Sequence, residues 1–185
     1  MRRLPLLPLA AALLVAGCDS DAAPGPPVRA EISQISVLAV PLVDPENGDR
    51  WDAGSDGDVY FRLYDADVDF RADIGGDRFN ARDDDNARAR GSAEPWYTDV
   101  EVQDLPLVWD VNEPYEVLDL LDPLYVGLFD YDASNDDDPM GETEVFVLDD
   151  FAPSVVTDRA QIITLSGAGL GGQDVRVSIT VTFRD

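Results

Sequence analysis

Residues 175–184 read VRVSITVTFR, a segment in which apolar and polar side chains alternate without a break. The odd positions hold only valine, isoleucine or phenylalanine, and the even positions hold only arginine, serine or threonine. Because successive side chains of a strand point to opposite faces, this period of two predicts a β-strand with one buried face. An amphipathic helix is excluded here, since its apolar residues would recur every three or four positions.

Several shorter segments rich in β-branched and aromatic residues precede this strand, each bounded by Asp, Gly, Pro or Asn. These predicted strands are Ile35–Val43, Val59–Tyr64, Trp96–Val102, Tyr115–Leu120, Leu124–Phe129, Glu144–Leu148 and Gln161–Leu165. Their number, without an amphipathic helix, indicates an all-β fold, an antiparallel β-sandwich or barrel. The polar insertion from Asp65 to Pro95 is the exception, and we expect it to be a long, partly disordered loop.

The N-terminus has the organisation of an export signal with a lipid attachment site. Two arginines precede an apolar run from Leu4 to Ala16, and the only cysteine of the chain, Cys18, follows Gly17. This order resembles the lipobox of bacterial lipoproteins, although an ordinary export signal with a chance cysteine is the alternative. We expect a signal peptide at 1–17, a flexible stalk at 18–30 that begins with lipidated Cys18, and a domain at 31–185. The lipid would anchor the protein to a bacterial membrane, in the cell envelope.

The composition excludes several classes of function. The chain has 38 acidic and 13 basic residues, no histidine and a formal net charge of −25, and every basic residue is an arginine. Without histidine, and with a single cysteine, there is no imidazole base, no Ser-His-Asp or Cys-His pair and no ordinary zinc site. The acidic surplus repels phosphates, and no basic patch with interleaved aromatic residues offsets it, so we expect no binding of nucleic acid.

Thirty of the acidic residues are aspartate, and they concentrate between the predicted strands. Such charge runs are most often solvated faces. Two stretches stand out because each adjoins a predicted strand: WDAGSDGDVYF at 51–61 and LFDYDASNDDDPMGE at 128–142. Their regularly spaced carboxylates are Asp52, Asp58, Asp130, Asp132 and Asp138.

The order and spacing of these residues resemble the C2 domain, a β-sandwich family that binds calcium and phospholipids. The matching pattern is Asp52-x5-Asp58-Val-Tyr60, then Leu105-Pro-Leu-Val-Trp109, then Asp130-x-Asp132-x5-Asp138-Pro-Met-Gly141-Glu142. The resemblance covers about residues 32–185. It implies an eight-stranded antiparallel β-sandwich, in the permuted topology that carries its extra strand at the C-terminus.

The resemblance also implies a calcium site made by carboxylates at neighbouring loop ends. Oxygen ligands without histidine or cysteine favour calcium over zinc or copper. The implied ligands are the side chains of Asp52, Asp58, Asp130, Asp132 and Asp138 and the backbone carbonyls of Trp51 and Tyr131, with Asp56 and Asp136 in reserve. An EF-hand does not fit, because strands flank the loop and Asn135 stands where that motif requires glycine.

Direct phospholipid binding by the loops is expected to be weak or absent. Members of the family that bind membranes carry large apolar residues at the loop tips and lysines on a concave strand. This chain has Ala53 and Ser134 at the corresponding tips and no lysine. The arginines interspersed with aspartate in the insertion are expected only to balance charge locally: Arg71, Arg78, Arg82, Arg88 and Arg90.

These features predict a non-enzymatic, calcium-binding module on a lipid tether, an adaptor or interaction domain for a protein partner whose identity the sequence does not show. The alternative is a structural or adhesin-like envelope sandwich with no functional calcium site. An enzyme built from Asp and Glu alone, such as a phospholipase or glycosidase, is disfavoured, because the sandwich leaves too little chain for a separate catalytic domain.

Overall fold

The computed structural model describes residues 24–44, 48–52, 55–83, 85–133 and 136–185, so the predicted signal peptide and Cys18 lie outside the described residues. No helix in this described part of the chain has the length and apolar character needed to cross a bilayer. Its regular structure is three short 3₁₀ turns at Val102–Asp104, Leu148–Phe151 and Leu170–Gly172, and nine strands. The strands are β1 (Arg29–Ala39), β2 (Val59–Asp65), β3 (Phe79–Asn80), β4 (Ala87–Ala89), β5 (Leu107–Val117), β6 (Leu124–Asp130), β7 (Asp138–Thr143), β8 (Gln161–Gly169) and β9 (Asp174–Arg184).

The strands form one antiparallel ladder in the order β3-β2-β6-β7-β8-β9-β1-β5-β4. Strands near its opposite ends nevertheless face each other, because Phe61 on β2 packs edge-on against Trp109 on β5 with ring centroids 5.3 Å apart. The ladder therefore folds over a shared hydrophobic core. This arrangement confirms the predicted all-β, antiparallel, sandwich-like class.

Strand β9 has the alternation that its sequence predicted. Its valine, isoleucine and phenylalanine side chains are at most 1% exposed, whereas the residues between them are partly or fully exposed. The strand pairs with β8 on one side and with β1 on the other. It therefore lies inside the sheet, with one face on the core.

Two predicted strands are placed differently in the structure. Strand β1 begins at Arg29, earlier than the predicted start at Ile35, and ends at Ala39, shortly before Pro41. Residues 96–102 do not form a strand, and only Tyr97 makes an isolated bridge, to the first residue of β2. Proline removes a backbone donor, which accounts for the early end of β1.

Two further strands differ in their bounds from the predicted ranges. Strand β5 extends from Leu107 to Val117, and Pro114 lies in the irregular stretch between the residues paired with β1. The predicted strand at 144–148 is replaced by β7, which begins in the acidic run at Asp138, and only Phe146 retains a bridge. The sequence prediction treated proline as the boundary of a strand. Proline is nevertheless tolerated inside a strand where the ladder is interrupted.

The insertion between Asp65 and Pro95 is folded against the sandwich, so the expectation of a partly disordered loop is wrong for the residues described. It supplies the two short strands β3 and β4; since the predicted strand at 96–102 does not form, the number of strands is nine rather than the predicted eight. It also covers the outer face of β2 and β6, where Phe70 packs on aromatic side chains. We call this second hydrophobic cluster the outer aromatic cluster: Tyr60, Tyr64, Phe70, Tyr125 and Phe129.

Gly127 on β6 shows how closely the outer aromatic cluster packs on the sheet. A side chain at this position would begin 3.1 Å from ring atoms of Phe129 and Tyr64 and 3.3 Å from Phe70. Glycine in a strand often marks such a close approach. Strands β2 and β6 are consequently buried on both faces.

Candidate metal site at the acidic loops

Two acidic loops meet because the strands that flank them pair. We call residues 51–58 the first acidic loop and residues 130–138 the second acidic loop. The antiparallel register of β2 and β6 places Asp130 opposite the first residue of β2. The backbone N–H of Asp58 donates to Asp130 Oδ1 at 2.5 Å, and the N–H of Tyr131 donates to the carbonyl of Asp58 at 2.7 Å. Hydrogen bonds thus join the two loops at their bases.

Asp130 is the most buried carboxylate of the predicted ligand set. The residue is 1% exposed, and its Oδ2 accepts no hydrogen bond from the described protein groups. Burial raises the pKa of Asp130 to about 8; the hydrogen bond from Asp58 opposes this shift, and the charges of Asp52, Asp132 and Asp58 add to it. A buried carboxylate oxygen without a partner is costly unless a proton or a cation neutralises it.

Asp58 is half-buried at the end of the first acidic loop. Burial raises its pKa, the N–H of Asp99 opposes the shift by donating to Asp58 Oδ1 at 2.9 Å, and the charges of Asp52 and Asp99 raise it further. Asp99 was not among the residues predicted from sequence. It is brought here by the bridge between Tyr97 and β2, and it has the left-handed φ of 51° that aspartate tolerates better than most residues.

The other two residues predicted in the second acidic loop are less enclosed. Asp132 is half-buried and close enough for its charge to raise the pKa of Asp130. Asp138 is exposed and begins β7, where the register places it opposite Asp130 across the ladder. The structure therefore brings Asp52, Asp58 and Asp132 close enough to Asp130 for their charges to raise its pKa, with Asp138 on the neighbouring strand.

The acidic loops do not form a preassembled coordination shell. Among the residues that the structure describes, no group of three or more acidic side chains is gathered tightly enough to hold a metal ion. One of the two reserve ligands, Asp56, is ion-paired with Arg50 at 3.3 Å. The tips at Ala53 and Ser134 lie outside the described residues. What the structure shows is an electrostatically strained pair of loops, and a bound cation would have to draw their side chains together.

Asp137 is a buried residue of the second acidic loop that the sequence analysis did not single out. Its Oδ2 accepts hydrogen bonds from the Tyr60 hydroxyl at 2.6 Å and from Arg82 Nη1 at 2.7 Å, and Arg62 Nη2 lies 3.5 Å away. Within the run of Asp136, Asp137 and Asp138, nothing local distinguishes this residue. Only the fold shows that it points inward, toward side chains far away in the chain.

A separate groove lies away from the acidic loops. This groove of about 670 Å³ runs between the insertion and strands β7 and β8, and it contains none of the five predicted ligands. Asp69, Arg71, Glu142 and Glu144 line it. Burial raises the pKa of Glu142, while Arg71, whose Nη2 lies 3.7 Å from the Glu142 carboxylate, opposes that shift. The groove is open and its charges are partly paired, so the acidic loops remain the better candidate site.

Comparison with known proteins finds no close relative. No family model matches the chain, and no curated protein is significantly similar to it. Among solved structures, the human GIVD cytosolic phospholipase A2 is 12% identical with a TM-score of 0.47; the match covers 88% of this chain but only 17% of the phospholipase chain.

Two C2 domain structures are also similar to the chain. A C2 domain of plant extended synaptotagmin 1 is 12% identical with a TM-score of 0.40, over 87% of this chain and 95% of that one. A C2 domain protein from Ramazzottius varieornatus is 16% identical with a TM-score of 0.41, over 85% and 90%. C2 domain structures are thus among those that this chain resembles, as its sequence predicted. At these identities the likeness concerns the fold alone.

Proposed function

We propose that this protein is a non-enzymatic, calcium-binding module of the cell envelope, tethered to a membrane by lipid on Cys18. The proposal rests mainly on Asp130, a buried carboxylate whose Oδ2 has no hydrogen-bond donor and whose neighbours are other carboxylates. Such an arrangement is stable only with a proton or a cation beside it. Calcium at physiological pH is the cation that the surrounding groups suit best.

The chemistry of the donor set fits calcium. Asp52, Asp58, Asp130, Asp132 and Asp138 would hold the ion, which would supply positive charge to neutralise them. All are hard oxygen donors, which calcium accepts six to eight at a time and in irregular geometry. Magnesium requires near-ideal octahedral geometry, which two loops without a preassembled shell do not offer. Calcium binding would therefore draw the carboxylates of the two loops together as well as neutralise them.

The remaining parts of the proposal rest on the sequence. Lipid on Cys18 and export to the envelope follow from the order of charged, apolar and small residues in the first eighteen positions. The exclusion of imidazole chemistry and the small size of the domain support a role other than catalysis, and binding a protein partner is the role that we propose. Weak or absent phospholipid binding follows from the strongly acidic charge and the lack of lysine.

One observation favours the alternative of a structural sandwich with no functional calcium site. A carboxyl with a pKa of about 8 is largely protonated at neutral pH, so Asp130 can be accommodated without a cation. The absence of a compact acidic group among the described residues is consistent with this alternative. The two proposals differ in whether calcium competes successfully with that proton.

Calorimetric titration of the chain from Asp19 to Asp185 with calcium separates them. We expect saturable binding with a Kd on the order of 10⁻⁴ to 10⁻³ M, the range of extracellular modules. It should be lost in Asp130→Asn and kept in Asp158→Asn, which removes the same charge from a side chain that is 97% exposed and remote in sequence from both loops. No binding heat, or equal loss in both variants, would support the structural alternative.

A further inference from the structure

The polar insertion contacts the second acidic loop through one buried carboxylate, Asp137. Arg82, which belongs to the insertion, donates to Asp137 Oδ2 at 2.7 Å, and Tyr60 on β2 donates to the same oxygen at 2.6 Å. Asp137 Oδ1 accepts the backbone N–H of Asp132 at 3.3 Å. One side chain therefore joins the insertion and the sheet to the backbone of a predicted calcium ligand.

Arg62, on β2, supports this contact and links it to a second part of the insertion. Arg62 on β2 is 7% exposed; it donates to the Tyr60 hydroxyl from Nε at 3.2 Å and from Nη2 at 3.0 Å. Its Nη1 donates to the carbonyl of Ile74, in the insertion, at 2.6 Å. Tyr60 is thereby held in place to donate to Asp137. Because these groups are buried, their hydrogen bonds are shielded from competing water.

Arg82 also contacts the other end of the second acidic loop. Its guanidinium lies over the ring of Tyr131 at 4.5 Å, and Trp96 packs against Tyr131 with ring centroids 4.0 Å apart. Tyr131 immediately precedes Asp132 in the chain. The loop is thus fixed at Tyr131 and at Asp137, on both sides of Asp132.

We propose that the insertion is a clamp that holds the described ends of the second acidic loop, residues 130–133 and 136–138, in position before an ion binds, with Arg82 and Asp137 as its positioning residues. This inference rests on the proposed function, and it assigns to the insertion the regulation of that site. A loop that is already ordered loses less conformational freedom on binding, so the clamp raises the affinity for calcium. Residues that hold metal ligands in position typically change metal affinity ten- to a hundredfold when replaced.

Two effects of Arg82 on calcium have opposite signs. Its positive charge repels a cation, whereas its ordering of the loop favours binding. The charge is paired with Asp137, and the arginine side chain is 38% exposed, so its field at the site is both compensated and screened by salt. The ordering effect should therefore prevail, and Arg82→Gln should raise the calcium Kd about tenfold.

The test compares Arg82→Gln with Arg78→Gln in the chain from Asp19 to Asp185, which contains every described strand. Arg78 is a matched control, because it belongs to the same insertion and pairs with Asp65 at 2.5 Å and Asp122 at 3.0 Å, away from the acidic loops. Amide hydrogen exchange of residues 130–138 is measured in chelator, and the calcium Kd by calorimetry. We expect Arg82→Gln to speed exchange and weaken binding, and Arg78→Gln to do neither.

A double variant tests whether Arg82 acts through Asp137. If both belong to one clamp, Arg82→Gln combined with Asp137→Asn should weaken calcium binding little more than Asp137→Asn alone. Tighter calcium binding by Arg82→Gln would show that Arg82 acts as a competing cation and would overturn the clamp. Unchanged exchange in chelator would overturn it as well.

The exchange measurement needs no calcium, so it separates the clamp from the calcium proposal. A wild-type protein that gives no binding heat, while Arg82→Gln alone speeds exchange in the second acidic loop, would refute the calcium site and retain an ordering role for the insertion. Equal exchange in both arginine variants would refute the clamp whatever the calcium result.

Discussion

Replacing Asp130 by asparagine should make the ion-free protein more stable at alkaline pH. The folded-state pKa of Asp130 is raised from 3.8 to about 8, so the folded protein binds a proton more tightly than the unfolded chain does. The stability associated with this proton is fully present below pH 4 and is lost as the pH rises through 8. The substituted asparagine stays neutral throughout, and its side-chain oxygen can still accept the N–H of Asp58.

The magnitude follows from the difference between the two pKa values. One pH unit within this window corresponds to about 1.4 kcal/mol, so between pH 5 and pH 8 the titration of Asp130 costs the wild-type protein on the order of 4 kcal/mol. A domain of this size shifts its Tm by about 2–4 °C per kcal/mol. In chelator, the Tm of Asp130→Asn relative to wild type should therefore rise by roughly ten degrees between those pH values.

Thermal melting in chelator at pH 5 and pH 8 measures this difference directly. Asp110→Asn is the control, because the pKa of Asp110 is shifted in the opposite direction: the hydrogen bond from Arg90 lowers it. The stability that ionised Asp110 contributes is fully present above pH 4. Asp110→Asn should therefore lower the Tm by the same amount at pH 5 and at pH 8. A lower stability of Asp130→Asn than of wild type at pH 8 in chelator would refute this prediction and would show that Asp130 is a structural hydrogen-bond acceptor.

Four other predictions concern the loops, the tether and the insertion. Asp132→Asn should remove most of the gain in Tm that millimolar calcium gives wild type, while melting as wild type does in chelator. Cys18→Ser should release the protein from the membrane fraction, and association that persists after complete signal cleavage would refute the lipid tether. Even with calcium, the chain without its lipid should not cosediment with anionic vesicles at physiological salt, and calcium-dependent cosedimentation would contradict this. Phe70→Ala should cost about 3–5 kcal/mol of unfolding free energy, far more than Phe151→Ala on a 38% exposed side chain, and a negligible cost would mean that the insertion does not pack in solution.

The strands that could be predicted are those whose signal is local. Strand β9 alternates strictly, and β2 and β6 are short apolar runs between turn residues, so each was located almost to the residue. Strand β5 was only partly located, because Pro114 looked like a boundary and its tolerance depends on an irregular pairing with β1. The pairing of two distant segments cannot be recognised from the sequence of either segment alone.

The insertion was mispredicted because its few apolar residues are dispersed among Asp, Arg and Gly. Phe70 is buried by Tyr64, Tyr125 and Phe129, which lie on two strands of the sandwich. The sequence of one of those strands did indicate that its outer face is covered. In residues 124–130 nearly every side chain is apolar, which indicates burial on both faces and therefore requires a cover for the outer face.

The candidate site could be predicted only as a pair of loops. The spacing placed Asp58 directly before a strand and Asp130 at the end of another, and the pairing of those strands brings the two residues together. Asp99 and Asp137 were missed, since their positions depend on the bridge at Tyr97 and on the contact with Arg82. The assignment of calcium to these loops stays a prediction.

Arg62 and Arg82, which lie beside the second acidic loop, are held by groups other than the proposed calcium ligands. A lysine could not replace Arg62, which hydrogen-bonds through three nitrogens and lies over the ring of Phe129 at 5.3 Å. Arg82 is similarly committed to Asp137. Within the described residues, no arginine pairs with Asp58 or Asp130. Because Arg62 and Arg82 are held elsewhere, they leave the negative charge of Asp58 and Asp130 for a mobile cation or a proton to neutralise.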